Sequence, residues 1–288
     1  MTQEEILEKV HYFARLRGIS PCTEEDYTLK INSFQKHYGK PATELGLAEV
    51  QDYLYYLLTE RKISSTSINV YNSAIRFLYL NVLDTPLELS KIPRHKNHRK
   101  FPNILTKDEV ATLLASASNL RDKALLATMY GAGLRISEAV SLKVKDIDSA
   151  NMQIFINSGK GSKDRFAILS QTSLNILREY WMEYHPKEWL FESISNNKTK
   201  SHLSVRGAQN VFRKTVLKAG IEKPVTTHTL RHSFATHLLE DGVDIFHIKQ
   251  LLGHVDIRTS CIYLHMISIS DMNVSSPLDT LSLVNRDA

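Results

Sequence analysis

Apolar residues recur at helical spacing through residues 1 to 90, and no stretch of strict alternation intervenes. Ile6, Val10 and Phe13 predict one helix, stopped at Gly18. Tyr27, Ile31, Phe34 and Tyr38 predict a second, opened by Thr23 and closed by Gly39. Val50, Leu54, Leu57 and Leu58 mark a third. Ile68, Tyr71, Ile75 and Leu78 mark a fourth, after the Ser64-Ser65-Thr66 cluster. Residues 1–90 are therefore expected to form an all-helical bundle.

A different pattern begins at "TKDE", residues 106–109, where Thr106 and Glu109 can form a reciprocal capping box. Val110, Leu113 and Leu114, then Leu125, Leu126 and Met129, predict two helices before Gly131 and Gly133 break the period in "YGAGLRISEAVSL". Met152, Ile154 and Ile156 alternate with Gln153, Phe155 and Asn157. "SGKGSKD" then turns the chain and "RFAIL" continues it, which predicts a hairpin. Helices resume near Thr172, interrupted by the polar loop "SNNKTKSH" at 195–202. Leu230, Phe234 and Leu238 form an apolar stripe ended by Gly242. Asp244 can cap a helix holding Ile245, Ile248, Leu251 and Leu252 that stops at Gly253, and Asp256 can cap a short third helix with Tyr263 near its end. The fold class that follows is mainly α: an N-terminal helical bundle, then a mixed α/β domain with a small antiparallel sheet.

Composition narrows the function. Hydrophobic residues make up 42% of 288, and no apolar run approaches the roughly 18 residues a bilayer span needs. The opening "MTQEEILEKV" lacks the basic and apolar regions of a signal peptide, so a cytoplasmic location is expected. Cys22 and Cys261 are too few for a disulfide framework or a zinc site. The charge is uneven. Residues 1–90 carry 9 Lys/Arg against 12 Asp/Glu, whereas "KIPRHKNHRK" at 91–100 carries five cations and no acid. Such a block reads as an exposed connector, either solvated or laid on a polyanion.

His228 and Arg231 sit three residues apart, off the apolar stripe of their helix. With His254 and Tyr263 they lie at or near the ends of short linked helices, where side chains can converge on an anion without a deep apolar pocket. Singly, each has a bland reading: Arg135 as a surface arginine, Lys160 as a solvated turn residue, His254 as a helix-end histidine, Tyr263 as packing. Together and in order they ask for a common explanation.

"HTLRHSFATHLLEDGVDIFHIKQLLGHVDIRTSCIYLH" resembles the signature of the tyrosine recombinase (phage integrase) family, particularly its short Xer-like members. "GAGLRISEAVSL" is similar to that family's first arginine box, and "GKGSK" to its lysine-bearing β-turn. The resemblance covers residues 104–265 by motif and 1–90 by architecture. It implies a SAM-like helical core-binding domain (1–90), a basic linker (91–103), a catalytic domain (104–265) and a tail (266–288) that either docks on a neighbouring subunit, with Leu278, Leu281 and Val284 as anchors, or is disordered.

The resemblance also implies roles. Tyr263 would attack a DNA phosphodiester and hold the 3' phosphate as a phosphotyrosyl bond. Arg135 and Arg231 would grip the non-bridging oxygens. His228 would assist the phosphate or the tyrosine proton, and His254 would donate to the phosphate. Lys160 would protonate the departing 5' oxygen, with Lys163 as its rival, and Glu138 would steady Arg135. Lys91, Arg94, Lys96, Arg99 and Lys100 would track phosphates, and Arg206, on the helix predicted over 204–219, would reach DNA. Phosphotyrosyl chemistry needs no metal or other cofactor. The implied partner is double-stranded DNA carrying a recombination site, bound by a tetramer of this chain or with a paralogue, the free chain being monomeric. Two other readings are a type IB topoisomerase-like relaxing enzyme and a non-catalytic architectural DNA-binding protein. Cys261 and Leu264 flank the tyrosine where relatives often carry polar residues.

Overall fold

The computed structural model describes residues 1–85, 87–92, 94–96, 101–157, 164–193 and 201–266, without the side chains of Leu89 and His265. The chain divides into two compact units, Met1–Lys100 and Phe101–Ala288.

In the first unit, α1 (Gln3–Leu16), α2 (Pro21–Tyr38), α3 (Leu47–Thr59) and α4 (Ser65–Phe77) form the bundle, and α4 runs on into a π turn at Leu78–Val82. Ile6, Val10, Ile31, Phe34, Val50, Leu54, Ile68 and Ile75 are buried in its core, so the helical period did mark the inward faces. The start of α2 differs from expectation. Ser20, not Thr23, is the cap: its hydroxyl accepts from the Thr23 amide at 3.3 Å and Pro21 takes the first helical position.

The basic run begins inside this unit. Ile92 is buried in the core, Arg76 Nη2 donates to the Ile92 carbonyl at 2.7 Å, and Asn69 exchanges two hydrogen bonds with the His95 backbone at 2.9 and 3.0 Å. A backbone so tied is not a free connector at Ile92 and His95. The side chains of Lys91, Arg94 and Lys96 are nonetheless exposed.

The second unit contains α5 (Lys107–Ala115), α6 (Leu120–Gly131), α7 (Ile136–Val140), β1 (Ile147–Asp148), β2 (Gln153–Ile156), β3 (Arg165–Ile168), α8 (Gln171–Tyr184), α9 (Val205–Lys218), α10 (Thr227–Glu240), α11 (Ile245–Leu252) and α12 (Ile257–Ser260), followed by a 3-10 turn at Cys261–His265. The sheet is antiparallel in the order β1-β2-β3, one short strand more than the hairpin read from sequence. Ile154 pairs with Ala167 on the buried face, and Phe155 with Phe166 on the outer one. The reciprocal cap at Thr106 and Glu109 forms, with bonds of 3.1 and 2.8 Å.

Two glycines let the site's elements approach closely. At Gly133 (φ 59°) an added Cβ would lie 2.4 Å from the Phe234 ring, so only glycine brings the α6–α7 corner against α10. At Gly253 (φ 65°), which ends α11, a Cβ would lie 2.7 Å from Arg165 Cδ. Asp244 and Asp256 cap α11 and α12 through the amides of Phe246 (2.7 Å) and Arg258 (2.9 Å).

Leu230 is wholly buried in the second unit's core, whereas Leu217 is exposed on α9. Leu230→Ala is expected to lower the unfolding free energy by about 2–5 kcal/mol and Leu217→Ala by no more than about 0.5 kcal/mol in urea titrations.

Candidate active site

The site is built around one carboxylate. Glu138, in the first turn of α7, accepts from the Arg135 amide at 2.8 Å and from Arg135 Nη1 at 2.9 Å. Arg165, the first residue of β3, grips the same carboxylate with Nη1 and Nη2, both at 2.9 Å, and donates through Nε to the Leu251 carbonyl at 3.1 Å. Arg231 Nη1 lies 3.7 Å from Glu138 Oε2. Burial alone would raise the Glu138 carboxyl, but the hydrogen bonds from Arg165 and the Arg135 amide, with the Arg165 and Arg231 charges, hold it at about 2.

Each arginine is held differently. Arg231 is 3% exposed and donates to the Gly133 carbonyl (2.8 Å) and the Leu252 carbonyl (2.6 Å), so α10 is pinned to both close-approach corners. Burial, followed by the Arg135 charge, lowers its pKa to about 10, which leaves it charged at neutral pH. Two of its five N–H donors are used by these carbonyls. Arg165 is nearly buried and commits three donors to the scaffold. Arg135 is the most open of the three, with 36% of its side chain exposed, and commits one guanidinium nitrogen. Among the described residues, the donors left free belong mainly to Arg135 and Arg231.

A row of rings faces these cations. Tyr263 is 1% exposed and packs with Phe234, Ala235, Ile248 and Leu252. Its hydroxyl lies 3.2 Å from His232 Nδ1. The His254 ring stacks on Tyr263 with centroids 6.4 Å apart, and its Nδ1 is 2.7 Å from Ser260 Oγ. His228 is exposed at the start of α10, with its ring 6.4 Å from that of His232. Burial pushes the Tyr263 phenol up, while the Arg231 and Arg135 charges pull it down. Burial and neighbouring cations lower all three histidines, His232 and His254 to about 4. These imidazoles are neutral at pH 7.

Arg135, Glu138, Arg231, His254 and Tyr263 thus converge, with His228 at the rim. The gathering is deeper than a shallow meeting of helix ends, because Tyr263 and Arg231 are core residues. Lys160 and Lys163 lie outside the described residues, as do Arg99, Lys100 and the tail anchors Leu278, Leu281 and Val284. Lys91 is exposed and paired with Glu88, and Arg94 and Lys96 are exposed. Arg206 is exposed in the first turn of α9, which packs on α7.

Arg165 and His232 were not singled out from the sequence, although both left a trace there. Alternation in "RFAIL" puts Arg165 on the same face as Ala167, and an arginine on a buried face needs a partner. His232 lies four residues after His228, on the same side of the helix. A groove of about 990 Å³ beside Arg135 is lined by Lys143, Lys145, Phe155, Phe166 and Trp189, with Lys143 4.7 Å above the Trp189 ring.

Residues 103–268 match the phage integrase family, and residues 6–89 match the N-terminal SAM-like domain of phage integrases. A Sinorhizobium fredii protein named as an integrase/recombinase is 38% identical over 270 residues, covering 93% of this chain and 86% of its own. The tyrosine recombinase XerA of Pyrococcus horikoshii is 35% identical over 266 residues, covering 91% and 90%. Among solved structures, a lambda integrase tetramer bound to a Holliday junction shares the fold, with a TM-score of 0.72 and 18% identity over 96% of this chain and 80% of that one.

Because the Glu138 pKa lies below its unfolded value of about 4.5, its stabilisation is complete above pH 4.5 and is lost as the pH falls toward 2. Urea unfolding of the second unit should lose on the order of 3 kcal/mol across that window. Glu138→Gln should remove that pH-dependent component and be less stable than the parent at pH 7.

Proposed function

The chain belongs to the phage integrase family of tyrosine recombinases, and on that premise we propose that Tyr263 is the nucleophile with which it breaks and rejoins DNA. It is a tyrosine-type DNA strand transferase acting in site-specific recombination through a covalent tyrosyl intermediate. In our reading the Tyr263 oxygen attacks the scissile phosphate and the 3' phosphate stays on the enzyme. The phosphotyrosyl ester conserves the energy of the broken bond, so a 5' hydroxyl can reverse the step without ATP.

The observation that carries the reading is the placing of a phenol hydroxyl in the field of two guanidinium groups that keep free donors. Among the described residues, three guanidinium groups against one carboxylate leave two net positive charges. That matches the charge gathering on the non-bridging oxygens during phosphoryl transfer. Arg135 and Arg231 would bind those oxygens, while Arg165 serves Glu138. His254, from the turn after α11, would donate to the phosphate, and His228 would flank it. Lys160, or Lys163 in its place, would protonate the leaving 5' oxygen. Because Tyr263 is buried, the turn Cys261–His265 would shift to admit the phosphate.

Lys91, Arg94, Lys96, Arg99 and Lys100 would follow the DNA backbone from the first unit. Arg206 and the groove holding Lys143 and Lys145 would do so on the second. The boundaries 1–90, 91–103, 104–265 and 266–288 would then separate core-binding, linking, catalytic and docking segments. A tetramer on DNA is the working assembly we propose, formed by this chain or with a paralogue, as lambda integrase forms one on a Holliday junction. Among the described residues no helix is long and apolar enough to cross a membrane, and we place the protein in the cytoplasm, on the nucleoid when bound to DNA.

A nicked suicide duplex carrying the target site should trap the protein covalently, and Tyr263→Phe should abolish the adduct. Arg231→Ala should slow adduct formation by about 10²–10³-fold or more with gel-shift affinity nearly unchanged. Absence of an adduct at saturating DNA would favour an architectural protein instead.

A further inference from the structure

We propose that His232 takes the proton of Tyr263 as the tyrosine oxygen attacks the DNA phosphate, an inference that rests on the nucleophile assigned above. Among the described residues, His232 is the side chain hydrogen-bonded to the Tyr263 hydroxyl, through Nδ1 at 3.2 Å. The rings lie 5.7 Å apart at 55°, so the imidazole edge, not its face, meets the oxygen. His228, one turn earlier on α10, is exposed. His254 lies against the other face of the phenol and has its own Nδ1 on Ser260. Position therefore distinguishes the three histidines, and proton transfer requires that the contact of Tyr263 with His232 on α10 be kept as the turn Cys261–His265 shifts.

The protonation state agrees. His232 is faced by His228 and Arg231 from its own helix, by His254 from the turn after α11, and by Tyr263 itself; Arg135 acts on the same phenol. Burial, then the His228 and Arg231 charges, hold it neutral at pH 7, and proton transfer requires the tautomer with hydrogen on Nε2, whose Nδ1 lone pair accepts from the phenol. A DNA phosphate brought to Arg135 and Arg231 adds negative charge nearby, which raises the basicity of the ring when the proton must move.

In the forward step the Tyr263 O–H bond breaks and its proton passes to His232 Nδ1 while the tyrosine oxygen bonds to phosphorus. The bond from phosphorus to the 5' oxygen breaks, and that oxygen is protonated by a separate donor, the lysine turn in the reading above. On rejoining, His232 returns its proton to the phenol as the 5' hydroxyl attacks.

The test is single-turnover adduct formation on the nicked duplex by the full chain carrying His232→Asn or His232→Ala. Asparagine can keep a hydrogen bond to the phenol but cannot take the proton. Both variants should lose about 10²–10⁴-fold in adduct rate, with DNA affinity retained in gel shifts. A second duplex with sulfur in place of the bridging 5' oxygen separates acid from base, because a thiolate leaves without a proton. It should restore Lys160→Ala and leave His232→Asn slow, a comparison made within each variant and so independent of how well it folds. His232→Asn cleaving at the parent rate, rescue of His232→Asn by sulfur, or faster cleavage by His232→Ala, which would make the histidine a latch, each overturns the proposal alone. An adduct that persists in Tyr263→Phe overturns the nucleophile assignment together with it.

Discussion

A single carboxylate sets the geometry of this molecule's active centre. Glu138 is shared by Arg135 and Arg165 and lies near Arg231, and these three cations come from the α6–α7 corner, the sheet and α10. Guanidinium groups held this close repel one another, and in a buried setting the repulsion is poorly screened. The carboxylate offsets it, and backbone carbonyls of Gly133, Leu251 and Leu252 take up donors that face inward. The arginines are thereby oriented before any phosphate arrives, so the cost of ordering them is met in folding, not in the reaction. The two close-approach glycines belong to the same arrangement, since a side chain at either would push apart the backbones that Arg231 and Arg165 bridge.

Burial supplies the second half of the chemistry. Around Tyr263 it keeps the phenol protonated and the neighbouring imidazoles neutral, so the nucleophile is quiet until a phosphate changes the local charge. A tyrosine freely open to solvent would gain nothing from Arg231 and Arg135, whose influence falls off steeply in water. The 3-10 turn that carries Tyr263 is short and packs against α10, the helix that also carries Arg231 and His232.

Much of this could be read from the chain before its fold was known, and the reasons for the gaps are physical. Helical period located the cores because Ile31, Phe34, Leu230 and Phe234 follow it, and glycine with aspartate marked the ends of α10, α11 and α12 because capping is a local interaction. Spacing and motif also brought out Arg135, Glu138, Arg231, His254 and Tyr263, which the structure gathers. Long-range pairing was less visible. Nothing local to Arg165 says that its partner lies 27 residues earlier, or that Leu251 will accept from its Nε. His232 was overlooked because its partner stands 31 residues later, and the depth of Tyr263 depends on packing that no periodicity encodes. The basic run misled in part, since its charge hid the anchoring of Ile92 and the His95 backbone.

The central claim, that Glu138 makes the arginines act as one unit, is tested most directly by a double-mutant cycle between Glu138→Gln and Arg165→Gln, read as the single-turnover cleavage rate on a saturating nicked duplex. If the two residues work through the same arrangement, the double variant should lose little more rate than either single one. Losses that multiply, as they do for independent sites, would contradict the account.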